Sequence, residues 1–182
     1  NRIAHPWMSA LQESHAMSRP RVCFVATVPF AVNVYLRAHV QYLASMYDIT
    51  IVTSGDVSQL SFPLPQGVRV IPLRLERKIS LVRDLAALLS LVRLFSRMRP
   101  DCVHSIMPKS GLLAMVAAWQ ARVPFRCHTF TGQVWATRTG LARIFRKIMH
   151  PATAASAILI MPDSQSQRSF LVEHGIVRAD RI

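Results

Sequence analysis

Six short apolar runs, set among segments of helical period, constrain this chain more than any other feature. The runs are Arg21 to Val28, Ile49 to Thr53, Val68 to Leu73, Cys102 to Ile106, Phe125 to Phe130 and Ala157 to Met161. They are rich in Val, Ile and Phe and show little alternation with polar residues, the pattern of strands covered on both faces. Between them, Val34 to Met46 repeats Leu36, Val40, Leu43 and Ala44 at helical spacing. Ile79 to Met98 places Leu81, Leu85, Leu88, Val92 and Phe95 on one face, and Gly111 to Ala121 is apolar nearly all round. Ser164 caps a helix through His174, with Gly175 placed to end it. Asp180 to Ile182 reads as the start of another strand. The alternation predicts an α/β fold, a doubly wound, mostly parallel sheet of about six strands. Residues 1–18 carry neither period, and Met17 reads as a natural start. The domain is therefore expected over 19–182, with 1–18 a disordered or upstream extension.

Two strand ends stand out. His104-Ser105-Ile106-Met107-Pro108-Lys109-Ser110-Gly111 and His128-Thr129-Phe130-Thr131-Gly132-Gln133 both run from an apolar strand into a polar loop with glycine. Ligands of open α/β sheets bind in the crevice outside the carboxyl ends of the strands. His104 and His128 are accordingly expected to open into one shared hollow at that rim. The alternative for each is a packed, hydrogen-bonded histidine. Lys109 sits at a helix start, where free N–H groups and the dipole attract anions; the alternative is a solvated lysine. Thr131, Gly132 and Gln133 offer a hydroxyl, a close-approach backbone and an amide, which suit a hydroxyl-rich ligand or an ordinary turn.

Charge narrows the partners. Lys and Arg total 22 against 9 acids, a formal charge of +13, and all but three of the cations are arginine. Such an excess favours an anionic partner: a phosphorylated substrate, an anionic membrane surface or nucleic acid. Arg138, Arg143, Arg146 and Lys147 alternate with Leu141, Ile144, Phe145 and Ile148, a short basic amphipathic helix suited to a membrane surface or to a sheet face with a cationic exterior. Trp7, Trp119 and Trp135 are not interleaved with the basic residues as a nucleic-acid stacking platform requires, so nucleic acid is disfavoured.

Several chemistries lack their residues. The loop Thr27-Val28-Pro29-Phe30-Ala31-Val32-Asn33 holds no glycine, which a dinucleotide fingerprint needs. No phosphate loop, HExxH or GxSxG elbow occurs, and acids are too few for a two-carboxylate glycosidase. Cys23, Cys102 and Cys127 have no metal or redox spacing and read as small buried hydrophobes, so no metal is expected. No uninterrupted apolar run reaches the roughly 18 residues of a membrane span.

The residues His104-Ser105, Pro108-Lys109, Gly111-Leu112-Leu113, Val123-Pro124, His128 to Trp135 and Ser164-Gln165-Ser166 together resemble the N-terminal domain of retaining glycosyltransferases of the family 4 type, with the GT-B fold. The likeness is strongest to bacterial enzymes of lipid-linked oligosaccharide, O-antigen or capsule synthesis. It implies two Rossmann-like domains across a cleft, the N-terminal one receiving a lipid-linked or saccharide acceptor and the C-terminal one a nucleotide sugar. It implies that His128, the catalytic candidate, and the Thr131-Gly132-Gln133 loop face the reacting sugar, and that Val28, Pro29, Phe30 and Lys109 lie toward the acceptor, with His104 counted among the substrate-binding residues. No cofactor of its own is expected, the nucleotide-sugar donor belonging to a C-terminal domain beyond this chain. The chain is then expected to be a cytoplasmic fragment, peripheral to the inner membrane. The alternative is a non-catalytic basic module that docks on anionic membrane or on a partner protein.

Overall fold

The computed structural model describes residues 19–75, 80–131 and 151–182. Six strands form one sheet: β1 (Arg21–Ala26), β2 (Asp48–Thr53), β3 (Arg69–Pro72), β4 (Cys102–Ile106), β5 (Phe125–Phe130) and β6 (Leu159–Pro162). Their order is β3-β2-β1-β4-β5-β6, and every pairing is parallel. The six apolar runs thus became the six strands, in the doubly wound arrangement expected. Burial on both faces explains why those runs lack a polar alternation.

Among the described residues, helices flank the sheet on both faces. The first stretch opens on a turn at Pro29–Ala31, passes through a π-helical segment, Val32–Leu36, and continues as α1 (Arg37–Leu43). Pro29 ends β1 but also begins this helix, occupying the first turn where its missing N–H costs nothing. Leu36 and Val40 are buried, as their spacing predicts. The others are α2 (Leu81–Met98), α3 (Pro108–Gln120) and α4 (Gln165–Glu173). Residues 151–156 are also helical. Ser164 caps α4 by accepting from the Gln167 N–H, and Gly175 follows with φ +63, the left-handed conformation its absent Cβ permits. Ala179–Arg181 forms a 3-10 turn, so the strand expected from Asp180 does not form there.

The sheet has two apolar layers. One gathers Phe24, Ala26, Ile49, Ile51 and Ile106 under Val32, Leu36 and Val40. The other gathers Cys23, Val25, Val103, Phe130 and Ile160 under α2, α3 and α4. Strand residues alternate between these layers with a period of two.

The inward face of α2 matches the expected one only in its later turns. Phe95 is buried and Leu88 and Val92 pack against the core, joined by buried Ala87 and Leu91, whereas Leu81 and Leu85 face outward. The helix is apolar over more than one arc, so hydrophobicity alone does not fix its rotation. Asp84 lies toward the buried arc, where its carboxylate meets Lys109 of α3 at 2.6 Å.

Candidate functional site

The order β2-β1-β4 places the topological switch point between β1 and β4. Chains leave these two neighbours in opposite directions, which opens a crevice between the loops that follow them. One loop is Thr27 to Phe30; the other is Met107 to Ser110. The crevice therefore lies one strand away from the β4–β5 position expected from the two histidines. Strand order, not strand identity, decides this, and order is invisible in a linear pattern.

The floor of that crevice is a buried hydroxyl chain. Thr27 Oγ1 donates to Ser110 Oγ at 3.0 Å, and Ser110 Oγ donates in turn to the Ile106 carbonyl. Ser54 Oγ, at the end of β2, donates to the Thr27 carbonyl. Thr27 and Ser110 are both buried. These hydroxyls tie the ends of β1, β2 and β4 to the start of α3. Sequence reading passed over them because lone Ser and Thr residues carry no spacing signal. Ser110 and Thr27 fell inside stretches already named, but neither was read for its hydroxyl.

The walls differ in character. Pro29 is buried, while Phe30 is 65% exposed beside it. Asn33, within the π-helical segment, donates from Nδ2 to the Gln59 carbonyl at 2.9 Å and accepts the Ser61 N–H at 2.9 Å. That two-point clasp fixes the loop after β2 against the loop after β1. π-Bulges occur frequently at functional sites. On the opposite wall, Met107 has φ 75 and ψ 150, a conformation otherwise left to glycine.

Lys109 is neither a solvated lysine nor an open anion site. Its ammonium and the Asp84 carboxylate are both largely buried, and Asp84 also accepts the Ser80 N–H at 3.1 Å. The pair joins the first turns of α2 and α3.

The two histidines do not share a hollow. The period of two places His104 in the layer of Phe24, whose ring centroid is 5.4 Å away. His128 lies in the other layer, edge-on to Phe130 at 4.5 Å. The register sets His128 opposite Ser105, not opposite His104. His128 Nδ1 and Ser105 Oγ share a hydrogen bond of 2.8 Å, and no part of His128 is exposed. His104 Nε2 and Thr129 Oγ1 share another of 2.8 Å, and His104 is 7% exposed. Burial, with a smaller contribution from nearby His39, pushes the His104 imidazole down to about 4, so it is neutral at pH 7. Both rings are hydrogen-bonded packing residues. The expectation fails because adjacent parallel strands aligned one residue out of step send these side chains to opposite faces.

Thr131 is half-buried just past β5. Gly132, Gln133, Arg138, Arg143, Arg146 and Lys147 lie outside the described residues. At the far end of the rim, Asp163, Ser164, Ser166, Gln167 and Phe170 help line a polar cavity of about 580 Å³ at the start of α4. The three cysteines are free thiols in or beside the core; the Cys102 hydrogen bond and burial push Cys127 up. Among the described residues no group of His, Cys, Asp or Glu is arranged to hold a metal, and no helix is long and apolar enough to cross a membrane.

A crevice of this kind is shared by many α/β proteins, so the fold alone assigns no reaction. Residues 30–182 match the family model described as "Glycosyl transferase 4-like domain". The chain belongs to that family. Among curated relatives, the capsular polysaccharide biosynthesis glycosyltransferase CapM of Staphylococcus aureus is 25% identical over 91% of this chain and 43% of that protein. A UDP-Gal:alpha-D-GlcNAc-diphosphoundecaprenol alpha-1,3-galactosyltransferase of Escherichia coli is 41% identical over 31% of this chain and 14% of that protein. Among solved structures, a UDP-N-acetylglucosamine 2-epimerase superposes with a TM-score of 0.67 at 20% identity, over 91% of this chain and 47% of that one. The chain thus spans less than half the length of these relatives. The epimerase likeness concerns the fold, which glycosyl transferase 4-like domains share with enzymes of other chemistry.

Proposed function

We propose that this glycosyltransferase domain binds the acceptor of a retaining sugar transfer, with the nucleotide-sugar donor held by a second domain facing the same rim. The observation that carries the reading is the crevice at the β1/β4 switch point. It has a rigid hydroxyl floor, the exposed ring of Phe30 on one wall, and the start of α3 on the other. An aromatic face beside polar backbone suits a pyranose ring, whose C–H faces stack and whose hydroxyls seek hydrogen bonds. The acceptor in this reading is lipid-linked, as in the galactosyltransferase relative, whose name specifies a diphosphoundecaprenol substrate.

The chemistry asked of this domain is positioning. The acceptor hydroxyl is held against the anomeric carbon of the donor sugar. As the new C–O bond forms, the bond to the nucleoside diphosphate breaks, and the hydroxyl proton leaves with the departing phosphate oxygens. Holding two reactants in line replaces a bimolecular encounter and removes several kcal/mol of barrier, on the order of 7–11 at best. His128 serves this reading by bracing the start of α3, not by touching sugar.

Calorimetric titration of the protein with a short-chain, water-soluble saccharide diphosphate lipid tests the proposal. Phe30→Ala is expected to weaken binding by roughly tenfold, the loss of one stacked ring, with the melting temperature unchanged because Phe30 is exposed. Binding that is equal in both proteins, or absent from the wild type, overturns it.

A further inference from the structure

We infer that α2 is a membrane-docking helix that seats this domain on an anionic bilayer with the crevice rim at the lipid surface. The inference rests on the proposed lipid-linked acceptor for its purpose, but its evidence is separate. Leu81, Val82, Leu85 and Leu89 are 76%, 81%, 57% and 43% exposed. At 100° per residue they span a single arc of one helix face, and Arg93 and Arg97, both exposed, continue it toward the C-terminus. Single exposed leucines need no explanation, but a contiguous stripe of four does.

Three observations select the occupant. First, the only acid of α2, Asp84, is turned inward and taken by Lys109, so the outer face of α2 carries no carboxylate. Second, a cleft of about 330 Å³ beside the stripe is lined by Leu73, Arg74, Arg83, Ala86, Ala87 and Ser90, setting two guanidiniums next to the apolar surface. Third, a second copy of the chain docked through α2 would offer Arg93 and Arg97 no free acid of that helix to pair with, in a protein of formal charge +13. A surface of acyl chains beneath anionic headgroups satisfies both components together.

The placement also fits. The Asp84–Lys109 pair clamps the first turn of α2 to the first turn of α3, and α3 begins directly after β4. The stripe therefore starts at the crevice rim. A lipid-linked substrate would keep its tail in the bilayer while its head reaches the switch point. The leucines of this stripe would enter the interface, and its arginines add to the charge that draws the domain there.

Co-sedimentation with phosphatidylcholine vesicles, with and without phosphatidylglycerol, tests the inference. The wild-type protein is expected to bind only the anionic vesicles. Leu85→Ser with Leu89→Ser should lower the bound fraction by roughly tenfold at unchanged circular dichroism, since both side chains are exposed. Arg93→Ala with Arg97→Ala should weaken binding at low salt by roughly thirtyfold, at about 1 kcal/mol per basic residue near an anionic surface. Equal binding of the leucine variant, or equal binding to neutral vesicles, overturns the inference. So does a wild-type dimer in solution that the leucine variant converts to monomer. Loss of vesicle binding with acceptor binding intact supports docking through α2, and vesicle binding that survives while the short-chain acceptor fails to bind defeats only the acceptor reading.

Discussion

Gly111 lies directly beneath the imidazole of His128: a Cβ built on this glycine would stand 2.8 Å from Nδ1 and 2.9 Å from Nε2, and closer still to Cε1. The contact explains two residues at once. α3 approaches β5 closely only because position 111 has no side chain, and His128 fills the space that a side chain would have taken. His128 is then held on its other side by Ser105 and Phe130. The start of α3, one wall of the crevice, is positioned by this packing.

Gly111→Ala tests that contact. Alanine favours a helix interior over glycine by about 1 kcal/mol. Here the added methyl meets a ring with no room to retreat, and overpacking costs about 1–3 kcal/mol or more. The expected net is a loss of about 2 kcal/mol in chemical denaturation. His128→Ala in the same chain should recover part of it, giving a favourable coupling in a double-mutant cycle. An alanine variant as stable as wild type would remove the contact.

The neutral His104 makes stability depend on pH. Its folded value, about 4, lies below the ordinary 6.5, so between these values the unfolded chain binds a proton that the folded one refuses. Stability then rises with pH across that window and is lost as pH falls from 6.5 toward 4. The shift corresponds to roughly 3 kcal/mol at most. Denaturation midpoints measured between pH 7 and 4 should fall less steeply in His104→Gln than in wild type. Parallel slopes would contradict the assignment.

Asp84 and Lys109 should respond unequally to mutation. Lys109→Met leaves a carboxylate in the first turn of α2, where the helix dipole and the Ser80 N–H still favour it. Asp84→Asn leaves a largely buried ammonium at the start of α3, where the dipole opposes it. The asparagine variant is expected to lose about 2–3 kcal/mol and the methionine variant about 1 kcal/mol, because the helix dipole opposes the ammonium that remains in one and favours the carboxylate that remains in the other. Reversal of that order in urea titrations would refute the electrostatic account.

Met107 carries backbone strain at the crevice wall. Its φ of 75 and ψ of 150 cost a side-chain-bearing residue about 1–3 kcal/mol. Met107→Ala removes apolar contacts and keeps the strain; Met107→Gly removes the contacts and relieves it. The glycine variant should therefore be the more stable of the two by about 1 kcal/mol, even though glycine is the more flexible residue when unfolded. An alanine variant of equal or greater stability would show the turn to be relaxed.

The sequence by itself determined the six strands, most of the helix positions, the caps at Ser164 and Gly175, and the membership of a glycosyltransferase family. Those features are written in local period, in capping residues and in motifs that survive in a linear string. Only the tertiary structure decided which strands are neighbours, which way α2 turns, and which of two histidines faces which layer. Strand order placed the crevice between β1 and β4. Burial of Ala87, Leu91 and Phe95, with Asp84 paired to Lys109 on the same arc, left Leu81 and Leu85 outward. One step of register sent His104 and His128 to opposite faces. Each of these depends on partners far apart in the chain, whose pairing free energy leaves no mark on the residues taken one segment at a time.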